Sequence, residues 1–427
     1  MLALCFAIFG VFGVVLVLVG ANQDALAAAL GIGLAESGLV SSVLALGIGS
    51  GMAAGGPLAD RLPHRALALG SIWLASAALI GVSHDMSLAR LLVHVFALGV
   101  GAGLANLVFN VAAVEHYGRD APRRLLVMHS AVTLGAIAGP GLAAALGDPE
   151  HWTPSFRAAG FGYLVLSLWL LRVPLGAPHA ARAAAGEAAG ASRPRELAAF
   201  CVAAIAYLGV EAALTVFAVP YATEGLGLAG DRGRAAISAF WFGLLAGRMS
   251  ALLWRGALDS RAIAASGLAA AVVLAVTASL FTQRIEWLFA AAGFALGPVF
   301  PLLVALAANT LPGRTGLATS FVAGLGSLGG FAVPWLVGAV GDRAGIGAAI
   351  GTTAAVALGL GLAGMVAHAL RARPSPQIGL CSTCRHARRT ANRRGSEFWQ
   401  CGRAEHEPAY RRYPELPVRA CAGHERA

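Results

Sequence analysis

The stretch Gly56-Pro57-Leu58-Ala59-Asp60-Arg61-Leu62-Pro63-His64-Arg65 decides how this sequence folds. It places one acidic residue and two arginines between two long apolar runs, although only 12% of the chain is charged. Apolar runs of roughly 20 residues have the length that a helix needs to cross a bilayer. The stretch is therefore predicted to be a short polar loop that joins two membrane spans.

Similar apolar runs recur along the whole chain, which has 427 residues, is 58% hydrophobic and has a mean hydropathy of +0.72. Soluble domains are closer to half apolar and a quarter charged. The alternating pattern of membrane β-barrel strands does not occur. We predict an all-α membrane protein whose twelve transmembrane helices form two six-helix halves. The predicted spans are 3–26, 37–57, 66–83, 90–113, 125–146, 157–174, 197–219, 234–253, 261–281, 286–308, 315–340 and 346–370.

A linker divides the two predicted halves. It covers residues 175–196 and is rich in alanine, glycine and proline, which is the composition of a flexible connection. The predicted organisation is a six-helix half at 1–174, this cytoplasmic linker, a second six-helix half at 197–370, and a cysteine-rich tail at 374–427. We expect the chain to act as a monomer.

The distribution of arginine orients the predicted helices. The sequence contains no lysine, and 12 of its 31 basic residues lie beyond residue 370. With a cytoplasmic N-terminus, the cytoplasmic loops of the first 370 residues receive thirteen arginines and the opposite loops six. We expect a multi-pass protein of a bacterial inner membrane with both termini in the cytoplasm. This distribution disfavours nucleic-acid binding, and the lack of lysine excludes a nucleotide-binding P-loop.

The opening stretch resembles the G-x-L-A-D-R-x-G-R-[KR] signature of the major facilitator superfamily, with Pro63 at a position that is usually glycine. Gly247-Arg248 followed by Leu258-Asp259 resembles a degenerate copy in the second half. The resemblance implies that two six-helix halves rock around a central cavity and that charges in these loops latch the halves together. The implied gating residues are Asp60, Arg61, Arg65, Arg248 and Asp259.

Shorter motifs resemble the fucose–proton symporter branch of that superfamily. They include YLGVE at 207–211, SAFWFGLLAGR at 238–248 and the prolines at 298 and 301. This branch implies proton-coupled transport of a small polar solute such as a sugar, without a cofactor. LGAIAGP at 134–140 contains a pattern associated with drug–proton antiporters, so efflux of a drug or metabolite is an alternative. No metalloprotease motif or pair of catalytic carboxylates occurs in the spans, and we expect no enzyme activity.

Polar groups within the predicted spans are candidates for the transport site, because ionisable side chains in hydrocarbon are costly. Glu211 lies in the middle of a span and is the first candidate for reversible proton binding. Asp24, near the end of the first span, is the second candidate. Tyr207 precedes Glu211 by one helical turn and shares its face. The candidate solute contacts are Asn22, Asn106, Asn110, His129, Tyr207 and Trp241.

The tail carries a different chemistry, with cysteines at Cys381, Cys384, Cys401 and Cys421. Cysteines in a cytoplasmic segment indicate metal ligands more often than disulfides. A C-x2-C pair with two further cysteines suits tetrahedral zinc, and an iron–sulfur cluster, free thiols and disulfides are the alternatives. The tail resembles small cysteine-rich bacterial domains. A transceptor whose tail senses metal or redox state is a further alternative function.

Overall fold

The computed structural model describes residues 1–59, 61–117, 121–147, 151–173, 175, 193–253, 259–280, 284–311, 315–371, 378–391 and 397–425. Fourteen α-helices account for most of these residues. They are α1 Leu2–Ala21, α2 Gln23–Leu30, α3 Leu34–Ala59, α4 His64–Ile80, α5 Leu88–Tyr117, α6 Ala121–Leu146, α7 Thr153–Leu170, α8 Pro194–Pro220, α9 Gly230–Leu253, α10 Ser260–Leu280, α11 Ile285–Leu296, α12 Val299–Ala308, α13 Thr315–Ala344 and α14 Ile346–Arg371. Helices α1 to α7 are called the first half, and α8 to α14 the second half.

Nine helical segments among the described residues are long and apolar enough to cross a membrane. They are Leu2–Ala21, Leu34–Ala59, Leu88–Tyr117, Val127–Leu146, Pro194–Gly225, Ser260–Ser279, Ile285–Ala308, Ala318–Ala344 and Ile346–Arg371. Helix α4 is apolar but only 17 residues long. Each predicted span overlaps a helix, and the total of twelve transmembrane helices stays a prediction.

Two of the predicted spans are interrupted. The span at 3–26 is divided at Asn22, whose side-chain amide donates to the Leu18 carbonyl oxygen at 2.8 Å and so competes with the helical hydrogen bonds. The span at 286–308 is divided at Gly297 and Pro298, where proline cannot donate a helical hydrogen bond. The sequence indicates the first interruption, because Asn22, Gln23 and Asp24 are polar, whereas hydropathy does not predict the second, which lies in apolar sequence.

The two halves repeat the same helix pairs. In the first half α1 packs on α6, α3 on α5 and α4 on α7. The corresponding pairs of the second half are α8 with α13, α9 with α11 and α10 with α14. One apolar core consists entirely of first-half residues, and the other consists mainly of second-half residues. This repetition is the pseudo-symmetry that the sequence predicts.

The halves meet along two helix pairs, α3 with α13 and α6 with α9. Glycines permit the close approach, since a Cβ at Gly38 would overlap the carbonyl of Pro334 and one at Gly338 that of Leu34. Towards the other end of α13, a Cβ at Gly324 would have no neighbour within 4 Å. The seam is therefore tightest at the end of the bundle where α3 begins.

The Asp342 carboxylate forms hydrogen bonds across the seam at its tightest end. Its Oδ1 accepts a hydrogen bond from the Leu34 amide at 2.8 Å, and its Oδ2 accepts one from the Ala35 amide at 2.9 Å. These amides begin α3 and have no partners within the helix, and the helix dipole favours a negative charge there. Because Asp342 belongs to the second half, the bonds cross the seam. We call this end of the bundle the Asp342 face.

The tail forms a small hairpin. Strand β1 Ala387–Ala391 pairs antiparallel with strand β2 Glu397–Cys401, and Ala387 lies opposite Cys401. A 3-10 turn at Leu380–Thr383 precedes the hairpin, and another at Gly402–Glu405 follows it.

Substitution of one glycine in α13 tests the tight seam. Gly338→Ala forces a methyl group against the Leu34 carbonyl, which is backbone and cannot rotate away, so we expect a loss of roughly 1–3 kcal/mol in stability. Gly324→Ala is the matched control and is expected to be neutral or stabilising by up to about 1 kcal/mol, because its site is open. Unfolding of the purified protein in detergent measures both. Equal effects of the two substitutions would contradict the described packing.

Candidate functional site

A buried tyrosine and a partly buried glutamate form a hydrogen-bonded pair in the second half. On α8 the Tyr207 hydroxyl donates to Glu211 Oε2 at 2.7 Å, as residues one turn apart on a helix can. The Tyr207 ring also stacks on Phe300 with the ring centroids 5.9 Å apart. Arg248 Nη2 lies 3.5 Å from the same hydroxyl, which therefore links a carboxylate to a guanidinium.

Arg248 links α9 to α6, to α8 and to the break between α11 and α12. Its Nε donates to the Gly297 carbonyl oxygen at 3.3 Å. That oxygen lacks its usual helical donor, because the residue four positions later, Pro301, has no N–H. Nη1 donates to Thr133 Oγ1 at 3.1 Å, and this bond crosses from the second half to the first. The structure places Arg248 within α9 rather than in a loop, and its role in gating stays a prediction.

The first half contributes a chain of three polar side chains. Asn110 Nδ2 donates to Asn106 Oδ1 at 2.9 Å, and these residues are one turn apart on α5. His129 Nε2 lies 3.1 Å from Asn110 Oδ1, an acceptor, so this ring nitrogen donates. The edge of the Phe9 ring meets the His129 ring at a centroid distance of 5.2 Å.

The two groups of polar side chains meet between α6 and α9. Thr133, which receives the Arg248 bond, follows His129 by one turn on α6. Trp241 precedes Arg248 by two turns on α9 and shares its face. Its side chain is buried, and the indole N–H has no partner among the described residues. We call the following set the central polar cluster: Asn106, Asn110, His129, Thr133, Tyr207, Glu211, Trp241 and Arg248.

Two predicted site residues lie elsewhere. The Asn22 side chain donates to Ser155 Oγ at 3.1 Å and so joins α1 to α7 within the first half. Asp24 lies at the Asp342 face, where it contacts Thr223 and lines a cavity together with Asp342. The structure thus uses Asn22 as a packing contact and separates Asp24 from the central polar cluster.

Two further predicted gating residues, Arg65 and Asp259, contact their own halves. Arg65 Nη2 donates to the Val173 carbonyl oxygen at 2.7 Å at the end of the first half. Asp259 Oδ1 accepts from the Arg261 amide at 2.8 Å, and Oδ2 lies 4.0 Å from His368 Nδ1. Arg61 is exposed, and Asp60 lies outside the described residues.

Backbone hydrogen bonds draw the cysteine-bearing segments of the tail together. The amide of Leu380, next to Cys381, donates to the Val418 carbonyl at 2.7 Å, and the Gly402 amide, next to Cys401, donates to the His386 carbonyl at 2.8 Å. Thr383 Oγ1 lies 3.0 Å from His424 Nε2, close in sequence to Cys421. Each of these bonds ties one cysteine-bearing segment to another part of the tail.

The pKa of the Cys381 thiol is raised to about 11, first by burial and then by the nearby thiols of Cys384, Cys421 and Cys401. The four thiols are thus neighbours. In the described part of the chain, however, no three His, Cys, Asp or Glu side chains are close enough together to hold a metal ion. The residue types suit a metal, and ligation requires the side chains to move closer.

Comparison with known proteins identifies the fold. The family model described as Major Facilitator Superfamily matches residues 2–288. No curated protein matches the sequence significantly. The structure resembles a bacterial homolog of the human lysosomal transporter Spinster, with a TM-score of 0.71 and 13% identity over 88% of this chain and 98% of that one.

Two further structures have the same fold. A D-xylose–proton symporter has a TM-score of 0.67 and 15% identity, over 86% of this chain and 96% of that one. The nucleoside transporter NupG has a TM-score of 0.66 and 15% identity, over 86% and 98% of the two chains. At these identities the likeness concerns the fold.

A double-mutant cycle tests the bond between Tyr207 and Glu211. Tyr207→Phe and Glu211→Gln should each lower the free energy of unfolding by roughly 1–3 kcal/mol, because each disrupts a partly buried hydrogen bond to an acidic group. Their combined effect should deviate from the sum by at least about 0.5 kcal/mol. The control pairs Tyr207→Phe with Ser167→Ala in α7, and this pair should be additive. Additivity of the first pair would show that the two side chains do not interact.

Proposed function

Because the chain belongs to the Major Facilitator Superfamily, we propose that it is a secondary active transporter that works by alternating access. The superfamily comprises membrane transporters rather than enzymes. The proposed cargo is a small polar solute, with sugars as the first class to test, and the proposed coupling ion is the proton. Known structures with this fold include a D-xylose–proton symporter and a nucleoside transporter, which supports a polar cargo.

The observation that carries this proposal is the construction of the central polar cluster from both halves. Asn106, Asn110 and His129 come from the first half, and Tyr207 and Glu211 from the second. Polar side chains inside a membrane bundle are costly unless they are paired or used, and here they converge across the seam. A solute that hydrogen-bonds to both groups would favour the arrangement in which they face each other.

Glu211 is the proposed proton site. When it is ionised, its charge attracts the Arg248 guanidinium through the Tyr207 hydroxyl. When it is protonated, that attraction falls, and Arg248 can shift its hydrogen bonds towards Thr133 or the solute. Protonation of one carboxyl group would in this way change the strength of a contact between the halves.

The gates follow from the proposed orientation with both termini in the cytoplasm. The Asp342 face is then the outer face, which the bonds from Asp342 to α3 hold shut. The loop with Asp60, Arg61 and Arg65 lies at the cytoplasmic end, where its charges serve as the opposite latch. Solute would enter or leave through the cytoplasmic end in the described arrangement.

Transport in proteoliposomes under an imposed proton gradient tests the function. We expect uptake of at least one polar solute from a panel of sugars and nucleosides to follow inward proton flow. Glu211→Gln should abolish accumulation against a gradient while retaining exchange of solute, because binding remains and proton coupling is lost. Glu415→Gln in the exposed part of the tail is the matched control and should transport normally.

Two other results of this transport experiment would change the proposal. Proton-driven expulsion of amphipathic dyes without any uptake of polar solutes would replace the proposal with efflux. Full proton coupling in Glu211→Gln would remove this residue from the mechanism.

We also propose that the four tail cysteines bind one zinc ion as thiolates, with an iron–sulfur cluster as the alternative occupant. The hydrogen bonds from the Leu380 and Gly402 amides already bring the cysteine-bearing segments together. Movement of the four side chains towards one another would complete a tetrahedral set. Metal binding would then stabilise a tail that is too short to bury a large core.

Metal analysis of the full-length protein purified without chelators tests this second proposal. We expect about one zinc per chain, and Cys381→Ser or Cys401→Ser should remove it. Cys201→Ser, which alters a buried cysteine of α8, should keep the metal. Stoichiometric iron with visible absorption would indicate a cluster, whereas a metal-free tail with four titratable thiols would refute metal binding.

A further inference from the structure

A cavity of about 270 Å³ lies at the Asp342 face, apart from the central polar cluster. Its lining combines α2 and the start of α3 from the first half with the end of α8, the π-helical turn at Tyr221–Gly225 and the end of α13 from the second half. The cavity therefore lies on the seam, beside the bonds that close this face. Nothing in the proposed transport cycle uses it.

Three carboxylates line the cavity, Asp24, Glu224 and Asp342. Glu224 is close enough to the other two for their charges to repel its own. Asp342 is partly neutralised by the helix terminus that it caps, so Asp24 and Glu224 supply most of the unbalanced charge. The Arg234 guanidinium attracts the Asp24 carboxylate, and this arginine also pairs with Asp231 at 2.7 Å.

Two polar side chains of the same cavity are buried without partners. Gln23 and Ser37 are both 0% exposed, and neither the Gln23 amide nor the Ser37 hydroxyl forms a hydrogen bond among the described residues. Leaving a buried amide or hydroxyl unpaired costs about 1–3 kcal/mol per group. Two of these atoms, Gln23 Oε1 and Ser37 Oγ, can accept hydrogen bonds from a cationic ligand in the cavity.

The lining suits an organic cation better than a bare metal ion. In the described residues no three acidic, histidine or cysteine side chains stand close enough to bind one metal ion together. The cavity volume instead corresponds to roughly nine water molecules at the density of the liquid. An alkyl diamine of a few carbons fits this volume, and each of its ammonium groups can reach a separate carboxylate while Gln23 and Ser37 accept further hydrogen bonds.

We propose that this cavity binds a small organic dication of the alkyldiamine class, with one ammonium group at Asp24 and the other at Glu224. Such a ligand contacts both halves and therefore favours the state in which the Asp342 face is closed. The cavity is thus a regulatory or cargo-loading site for cations, separate from the central polar cluster and independent of the proton chemistry of Glu211.

Calorimetric titration of the full-length protein in detergent with 1,4-diaminobutane tests the proposal. We expect saturable binding that 1,4-butanediol does not reproduce and that sodium ions compete with only weakly. Asp24→Asn and Glu224→Gln should each weaken binding at least about tenfold. Gln23→Leu should weaken it while leaving the protein folded, because a similarly sized apolar side chain replaces an unpaired amide.

Asp85→Asn is the matched control, since Asp85 is an exposed acid that does not line the cavity. Its affinity for the diamine should equal that of the unaltered protein. Hydrogen exchange should also slow at the Leu34 and Ala35 amides when the diamine is bound. Absence of saturable binding in folded protein, equal binding of sodium, or unchanged affinity in Asp24→Asn would each overturn the proposal.

The outcome is separable from that of the transport experiment. Glu211→Gln should bind the diamine normally, whatever its effect on uptake. Diamine binding without proton-coupled uptake would therefore reject the proposed function alone, and the reverse result would reject only the cavity's assignment.

Discussion

The described arrangement depends on a guanidinium that is held inside a helical bundle. Arg248 satisfies a carbonyl that Pro301 leaves unpaired, reaches the hydroxyl that binds Glu211, and bonds to Thr133 in the other half. An isolated cation in this environment would be costly. The hydrogen-bond acceptors of Arg248 lie at the break before α12, in α8 and in α6. One side chain thereby links the helix interruption, the buried carboxyl group and the seam between the halves.

The fold can be predicted from the sequence because it depends on the composition of long segments rather than on single contacts. Runs of apolar residues define helices, and the polar stretch around Asp60 together with the linker implies two repeated halves. The polar residues Asn22, Gln23 and Asp24 indicate the first interruption, whereas the one at Gly297 depends on a proline within an apolar run and hydropathy does not predict it. The sequence shows the prolines at 298 and 301. It does not show that the Gly297 carbonyl, which Pro301 leaves without a helical donor, receives a hydrogen bond from Arg248.

The site was only partly predictable, for a related reason. Helical periodicity pairs Asn106 with Asn110 and Tyr207 with Glu211, because each pair lies on a single helix. The contact between Thr133 and Arg248 depends on how α6 packs against α9. The residue pattern of a single helix does not show this packing. Asn22 and Asp24 were assigned by polarity alone, and polarity does not distinguish a packing contact, a seam cavity and a central site.

The closure of the Asp342 face has a consequence for how the gate can vary among related sequences. Its donors are main-chain amides of Leu34 and Ala35, which persist whatever side chains occupy those positions. Sequence drift at the start of α3 therefore leaves the donors in place, so long as the helix still begins there. In the proposed cycle both acceptors belong to one acidic side chain, so a substitution at Asp342 removes both bonds together while the glycine contacts between α3 and α13 remain.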